Sequence, residues 1–505
     1  MAAHETTPRL PLSRRDFVRT TGLGMAALAS GAAARGEPLF AGRWPQGGLL
    51  VRGGTIVTAE QSFRADVRVR GDKIVEVGPG LAPAGERVID ADALLVLPGA
   101  MDPHTHLTQA EGAPEKYRLS DDFTSGSEAA LAGGITVIGN MTVPGEGQTV
   151  FEALERDARF VSEKAIADIV LHPVLLDPSE LAEQGVRQLA EAGRTTIKIF
   201  MVIPSFDQHL RDYVRVMRMA GQAGILSLIH CEDPAIIAEA THALVAAGKG
   251  SLRYYAGSRP LSSEVIATQR AIAYCEVTGA PIYVVHLSAA EPLRVCRAAR
   301  AQGLPVYVET RPIYLYYTED RYERADGPLY VGQPPLRSAQ DVEALWAGLQ
   351  DGSVHTLGTD HVGWSKQKKM DPSLTIEDLR PGVPNLQEMF PMLYSEGVVK
   401  GRISQQRFVE IVAANPAKLF GLYPRKGTIA VGSDADLALW DPQETRKIEL
   451  AEMRSRCGFS LFEGWEVTGW PRTTIRRGVV VYEDGEIKAR PGTGQLLRCG
   501  RTQSL

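Results

Sequence analysis

Five residues able to bind a metal and one lysine close short apolar runs spread over about half of the chain. They are His104 and His106 in Asp-Pro-His-Thr-His, Lys198 in Thr-Ile-Lys-Ile-Phe, His230 in Leu-Ile-His-Cys-Glu-Asp, His286 in Val-Val-His-Leu-Ser and Asp360 in Gly-Thr-Asp-His. His104 and His106 stand two apart, so on a strand both side chains leave the same face and can reach one ion. An H-x-H pair alone is weak; its place after Gly-Ala-Met-Asp-Pro, at the end of a strand, sharpens it. His230 and His286 would offer imidazoles to a second ion, for which zinc is a fitting partner.

Lys198 is flanked by Thr195, Thr196, Ile197, Ile199 and Phe200, with no acid beside it in sequence. Burial disfavours an ammonium, so the neutral amine becomes available and can take up carbon dioxide. The resulting carbamate has two oxygens and one negative charge and can bridge two cations. Asp360 would bind one ion and carry the proton, as general acid and base, while a bridging hydroxide made acidic by the two metals attacks a carbonyl. The chemistry implied is hydrolysis of an amide-like C–N bond. His361, facing the other way on the strand, is expected to support the loop.

Ligands so dispersed meet only where a fold gathers the carboxyl ends of several strands, as a closed parallel barrel does. Eight strand candidates fall in a βα rhythm: Val96 to His104, Ile135 to Asn140, Asp168 to Leu176, Thr195 to Met201, Ile225 to His230, Pro281 to His286, Pro305 to Thr310 and His355 to Asp360. The six residues close the first, fourth, fifth, sixth and eighth. Helices are expected over Ser263 to Glu276 and Ser404 to Leu419, with Gly421 as a stop. From Gly48 to about Pro98, and again from Gly427, short β-branched runs punctuated by Gly-Gly and Gly-Asp turns read as hairpins. The two ends are expected to share one β-sandwich. The fold class is therefore α/β, a (β/α)8 barrel with a small sandwich built from both chain ends.

Residues 1–34 stand apart. Ser13-Arg14-Arg15-Asp16-Phe17-Val18-Arg19 precedes a weakly apolar run ending at Ala32-Ala33-Ala34, the pattern of a twin-arginine signal peptide cleaved near Ala34, with export to the periplasm or beyond. The run is too short and Gly-rich for a permanent anchor. The division that follows is signal 1–34, linker 35–47, sandwich 48–98, barrel 99–426, sandwich 427–489 and tail 490–505. The tail, rich in Gly, Arg and Ser, is expected to be loosely held or used against a neighbouring subunit. With 505 residues, 44% hydrophobic, 23% charged and a formal net charge of -5, nothing favours a nucleic-acid partner. Five cysteines without a C-x-x-C pair argue against a disulfide framework and leave at least one thiol free, open to oxidation after export.

From roughly Gly48 to Gly485 the chain resembles a cyclic amidohydrolase of the dihydropyrimidinase and D-hydantoinase group. The stretches that carry the likeness are Pro98-Gly-Ala-Met-Asp-Pro-His-Thr-His-Leu107, Ile197-Lys-Ile-Phe-Met201, His230-Cys-Glu-Asp233, Val285-His-Leu-Ser288, Val308-Glu-Thr310, Gly358-Thr-Asp-His361 and the segment from Asn415 to Asp436. The resemblance implies a barrel with a sandwich, two zinc ions bridged by N6-carboxylated Lys198, and a homotetramer or homodimer. Manganese or cobalt suits the same ligands. Hydantoinase-like members carry a tyrosine five residues after the bridging lysine, as an oxyanion donor; here Ile203 stands there. Tyr314, Tyr316 and Tyr317 are candidates to replace it, or pack at the barrel mouth. Arg311 occupies a usual cysteine position and would either clamp a substrate group or pair with Glu309 or another acid. Ser288 and, loosely, Asn385 match positions whose backbone meets the substrate. Dihydroorotase fits less well, since Leu107 and Thr108 follow the histidine pair where an arginine is expected.

The expected activity is metal-dependent opening of a cyclic amide or imide ring, hydantoin or dihydropyrimidine in type. An allantoinase-like ureide hydrolase is the alternative, and a non-catalytic scaffold of the same fold is disfavoured because all six metal positions are kept.

Overall fold

Eight parallel strand segments follow one another with helices between them: Ala100–His106, Ile135–Thr142, Asp168–Pro173, Thr196–Phe200, Leu226–His230, Ile282–Val284, Val306–Thr310 and Thr356–Leu357. The computed structural model describes residues 48–108 and 115–505; the expected signal and linker lie outside the described residues. The first three strands pair in parallel, and so do the last five. A Val174–Lys198 bridge joins the two sheets at one seam. At the other, the chain leaves Thr356–Leu357 and pairs again as His361–Val362 with the first strand. This is an eight-stranded α/β barrel. Its strands are apolar on both faces because helices cover the outside and side chains fill the inside. Below the carboxyl ends that filling includes Met101, Val137, Val170, Leu228, Tyr283 and Phe420.

Turn chemistry delivers two of the histidine strands. The helix Leu210–Ala223 ends on left-handed Gly224 (φ 78°), two residues before the strand that ends at His230. The helix Leu261–Thr278 ends likewise on Gly279 (φ 68°), ahead of the strand that leads to His286. Only glycine adopts this conformation without steric cost.

Both chain ends build the sandwich. One sheet runs in the order Lys73–Gly78, Asp66–Arg70, Leu49–Arg52, Arg87–Asp90; the other contains Leu437–Lys447 antiparallel to Leu95–Pro98, with Leu437 opposite Pro98. Leu49, Val51, Ile56, Val67, Val96, Leu437, Leu439 and Ile475 share one buried cluster, so neither end forms this core alone.

Several features differ from expectation; the sixth strand, expected to reach His286, ends at Val284. The first expected strand, Val96 to His104, is two: Leu95–Pro98 belongs to the sandwich and the barrel strand begins at Ala100. The eighth is cut to Thr356–Leu357, and Asp360 lies in the turn beyond it. The helical segment Gln405–Leu419 contains a π turn over Glu410–Ala414, and Gly421 follows at φ 63°. The tail is not loose: Leu496 bridges Ile169, Leu497 is buried, and the Gln503 N–H donates to the Lys418 carbonyl. All five cysteines are free and buried, so none is presented to an oxidant.

Candidate metal centre

Ligand atoms of His104, His106 and Asp360 all lie within 4.8 Å of one another. Asp360 Oδ1 is 3.1 Å from His106 Nε2 and 3.3 Å from His104 Nε2. His286 stands beside them, its ring centroid 5.4 Å from that of His104 and 4.5 Å from that of His230. Lys198 is fully buried, with Nζ 4.9 Å from the centre of the Phe200 ring. The structure thus brings the six expected residues to the carboxyl ends of five strands.

The donor set suits cations. His104 Nε2, His286 Nδ1 and Lys198 Nζ are all buried, and among the described residues none has a hydrogen-bond partner. Orphaned buried polar atoms are costly, and several converging on one spot mark a place for an ion. Burial lowers the Lys198 amine to about 8, and burial followed by the Lys198 charge holds the His104 imidazole well below its usual range. Burial alone would raise Asp360, but Arg311 and then His104 outweigh it and hold the carboxyl well below the carboxylate range. His286 and Asp360 also share backbone strain, at φ 40° and 46° without being glycine. Such strain, of order 1–3 kcal/mol each, persists where the surroundings fix a functional side chain.

Carboxylates behind the histidines select which nitrogen faces the centre. His104 Nδ1 is 2.8 Å from Glu309 Oε1, leaving Nε2 inward. His230 Nε2 is 2.8 Å from Glu232 Oε2, leaving Nδ1, and Arg259 clamps Glu232 through Nε and Nη2. Glu309 also accepts the His286 N–H at 2.9 Å and the Tyr283 hydroxyl at 2.8 Å. Burial pushes its carboxyl up to about 7. Asp102 accepts from the Thr359 N–H and hydroxyl, tying the first strand to the turn that carries Asp360.

Above these groups opens a cavity of about 200 Å³. Phe200, Val202, Val362, Trp364, Pro381 and Gly382 give it apolar walls; His106, His230, His286, Asp360 and Gln333 supply its polar groups. Fully buried Lys369 pins its roof, donating to the carbonyls of Val331, Arg380 and Gly382.

Residues 95–481 match the amidohydrolase family. The chain belongs to that family. It is 36% identical over 456 residues to a D-hydantoinase of Ralstonia pickettii, covering 89% of this chain and 98% of that one. Among solved structures it is similar to the dihydropyrimidinase from Brevibacillus agri NCHU1002 (TM-score 0.84, 33% identity, 90% of this chain and 99% of the other). It is also similar to an L-hydantoinase (dihydropyrimidinase) from Arthrobacter aurescens (TM-score 0.82, 30% identity, 89% and 99%).

Within this amidohydrolase the expected substrate contacts fare differently from the metal set. Arg311 pairs with an acid, but the acid is Asp360 rather than Glu309: Nη1 lies 3.0 Å from Oδ2, and Nε donates to the Thr359 carbonyl. None of the three tyrosines lines the cavity. The Tyr314 hydroxyl donates to Pro334 O, the Tyr317 hydroxyl to Leu461 O, and Tyr316 packs edge-on against Trp346, Phe462 and Trp465. Backbone carbonyls thus take two of the hydroxyls, and the Tyr316 hydroxyl is buried without a hydrogen-bond partner among the described residues. Ser288 spends its N–H and its hydroxyl on Glu264. Asn385 is buried off the cavity, two residues beyond the Val383–His361 bridge. Ile203 caps the short helix Pro204–Gln208. His361 supports the loop as expected, with Nε2 3.0 Å from Asp121 Oδ2.

Sequence reasoning passed over Glu232, Glu309, Asp102 and Gln333. Glu232 carried a signal, standing two residues after His230, just beyond the strand end; Glu309 was considered only as a partner for Arg311. Asp102 shares the two-residue spacing of His104 and His106 on one strand, and Gln333 shows no spacing that marks it.

Proposed function

We propose that this amidohydrolase opens a cyclic amide or imide ring of the hydantoin or dihydropyrimidine type. The observation that carries the reading is the convergence of His104, His106, Lys198, His230, His286 and Asp360, with His104 Nε2, Lys198 Nζ and His286 Nδ1 lacking a hydrogen-bond partner, beneath a small apolar-walled cavity. His104, His106 and Asp360 would hold one divalent ion and His230 and His286 a second, zinc in both cases, and Lys198, if N6-carboxylated, would add an anionic ligand to the pair. Such a pair supplies, when bound, Lewis-acid polarisation of a carbonyl and an acidified water. The chain's own part is positional. Glu309 and Glu232 hold two imidazoles in the required tautomers, and Asp360 moves the proton from the attacking water to the departing ring nitrogen. The apolar walls exclude bulk water and suit a ring bearing an apolar substituent.

The ureide alternative draws support from Ile203, which removes a tyrosine hydroxyl. The walls of Phe200, Val202, Val362 and Trp364 weigh against a ring as polar as allantoin. The relatives' names include both D- and L-hydantoinases, so handedness is read from both enantiomers of a 5-aryl hydantoin.

The deciding assay is ring opening of dihydrouracil, hydantoin, 5-aryl hydantoins, allantoin and dihydroorotate by zinc-loaded protein, with Lys198→Ala as control. Turnover of dihydrouracil or a hydantoin, abolished in the control together with part of the metal content, is expected. Turnover of allantoin alone moves the assignment to the ureide class. An active control holding both ions sinks the role given to Lys198. Two further readings belong to this proposal. The twin-arginine pattern around Arg14 and Arg15 supports export to the periplasm, tested by fractionating cells that express Arg14→Lys/Arg15→Lys beside wild type. Assembly into two or four copies is tested by light scattering.

A further inference from the structure

The cavity needs a neutral group that reads the ring amide, and its lining leaves few. His106, His230, His286 and Asp360 are assigned to the metals, and Trp364 gives its indole N–H to Pro381 O at 2.8 Å. The Tyr314 and Tyr317 hydroxyls are engaged elsewhere, Tyr316 is not among the residues lining the cavity, and Arg311 is fully buried against Asp360. Gln333 remains. It is half-buried and lines both this cavity and an adjoining one of about 440 Å³ floored by Tyr255 and Arg259.

The two residues before it are held at their carbonyls. The Val331 carbonyl takes the Lys369 ammonium and the Gly382 N–H, and the Gly332 carbonyl takes the Tyr255 hydroxyl at 2.9 Å. Tyr255 and Gln333 line the adjoining cavity together. A carboxamide offers an N–H donor beside a carbonyl acceptor. That pair is complementary to the N–H and C=O edge of a cyclic amide.

We infer that Gln333 is the specificity-determining residue of the cavity: its carboxamide donates to a ring carbonyl and accepts from the adjacent ring N–H. The inference rests on the ring-opening reading above. It also accounts for the loss of the tyrosine at Ile203, because an amide N–H aimed at the carbonyl oxygen strengthens as that oxygen gains charge.

The test is steady-state kinetics of zinc-loaded full-length protein on hydantoin and its two mono-N-methyl derivatives, for wild type, Gln333→Leu, Gln333→Asn and Gln333→Glu, with metal content measured in each. A site built to bond an N–H rejects an analogue that lacks it. Methylating one ring nitrogen should therefore cost wild type about tenfold or more in kcat/KM, and Gln333→Leu less than about threefold. Gln333→Asn, which keeps the amide, should retain part of the discrimination. Gln333→Glu, with no N–H to give, should lose about 10²-fold on hydantoin with its metal intact. The same methyl penalty in wild type and Gln333→Leu, with both ions held, would overturn the inference and leave the ring-opening reading standing. A wild type inert toward every hydantoin would overturn both.

Discussion

Arg311 Nη1 lies 3.0 Å from Asp360 Oδ2, while Asp360 Oδ1 faces His104 and His106. One oxygen of the carboxylate is thus turned toward the ion site and the other is neutralised from behind by a side chain with no solvent exposure. Arg311 Nε and Nη2 also reach the carbonyls of Thr359 and Asp360, the turn in which Asp360 adopts φ 46°.

Removing one partner of a buried ion pair costs about 3–5 kcal/mol, because the other charge is left uncompensated. In Arg311→Met that charge is Asp360, which bound ions can compensate instead. The thermal midpoint of the metal-free variant should therefore fall far more than that of the loaded variant. Equal losses in the two forms would mean that Arg311 stabilises the loop by packing alone.

Glu232 and Glu309 make a second prediction. Each fixes the tautomer of a histidine, and loss of such a partner typically weakens metal binding 10- to 100-fold. Glu232→Gln, with Arg259 left beside a neutral amide, should release metal to a chelator at least about tenfold more readily than wild type. Glu309→Gln should act on both His104 and His286, since Glu309 Oε1 meets the ring of one and the N–H of the other. Metal content after dialysis decides it; wild-type retention in both would reduce these carboxylates to filling.

The acid limb of the stability curve supplies a third. Burial alone would raise the Asp168 carboxyl, but Lys426, Arg477 and Arg476 outweigh it and pull it to about 2, with Lys426 Nζ at 2.9 Å and Arg477 Nε at 3.2 Å. A carboxyl depressed in the folded state contributes stability above its unfolded value of about 3.9 and loses it as pH falls toward the folded value. Part of the fall in unfolding midpoint between about pH 4 and pH 2 should therefore be missing in Asp168→Asn, which starts lower at neutral pH. A parallel acid limb in the variant would assign the fall to other groups.

What the sequence made legible follows from where each interaction lives. The metal set could be read because six chemically distinct residues close apolar strands, and the barrel that gathers them has a strong period. The sandwich could be read because alternation and Gly-Gly turns are local. Arg311 against Asp360 could not, since the pair spans two strands and a turn, and either of two acids was compatible with the sequence. Tyr314 and Tyr317 misled for the same reason: a hydroxyl near a barrel mouth is indistinguishable in sequence from one spent on a backbone carbonyl such as Pro334 O or Leu461 O. Gln333 was invisible because its role depends on what the other liners of the cavity are already doing.

Lys369 provides the last prediction. Its ammonium is fully buried, and burial holds it well below the usual lysine range, yet it donates to three carbonyls: Val331 O at 2.9 Å, Arg380 O at 2.9 Å and Gly382 O at 2.5 Å. Those carbonyls belong to the two loops that supply Gln333, Pro381 and Gly382 to the cavity. Lys369→Met fills the space but leaves the Arg380 and Gly382 carbonyls unsatisfied, at about 1–3 kcal/mol each, offset by no longer burying a charge; the Val331 carbonyl keeps the Gly382 N–H. The loops should then separate, while the metal residues, held by Glu309, Glu232 and Asp102, stay in place. KM should rise about tenfold or more with both ions retained and kcat changed less, since a loosened roof weakens binding of substrate and transition state alike. A fall in metal content with KM unchanged would show instead that Lys369 acts on the centre beneath the roof.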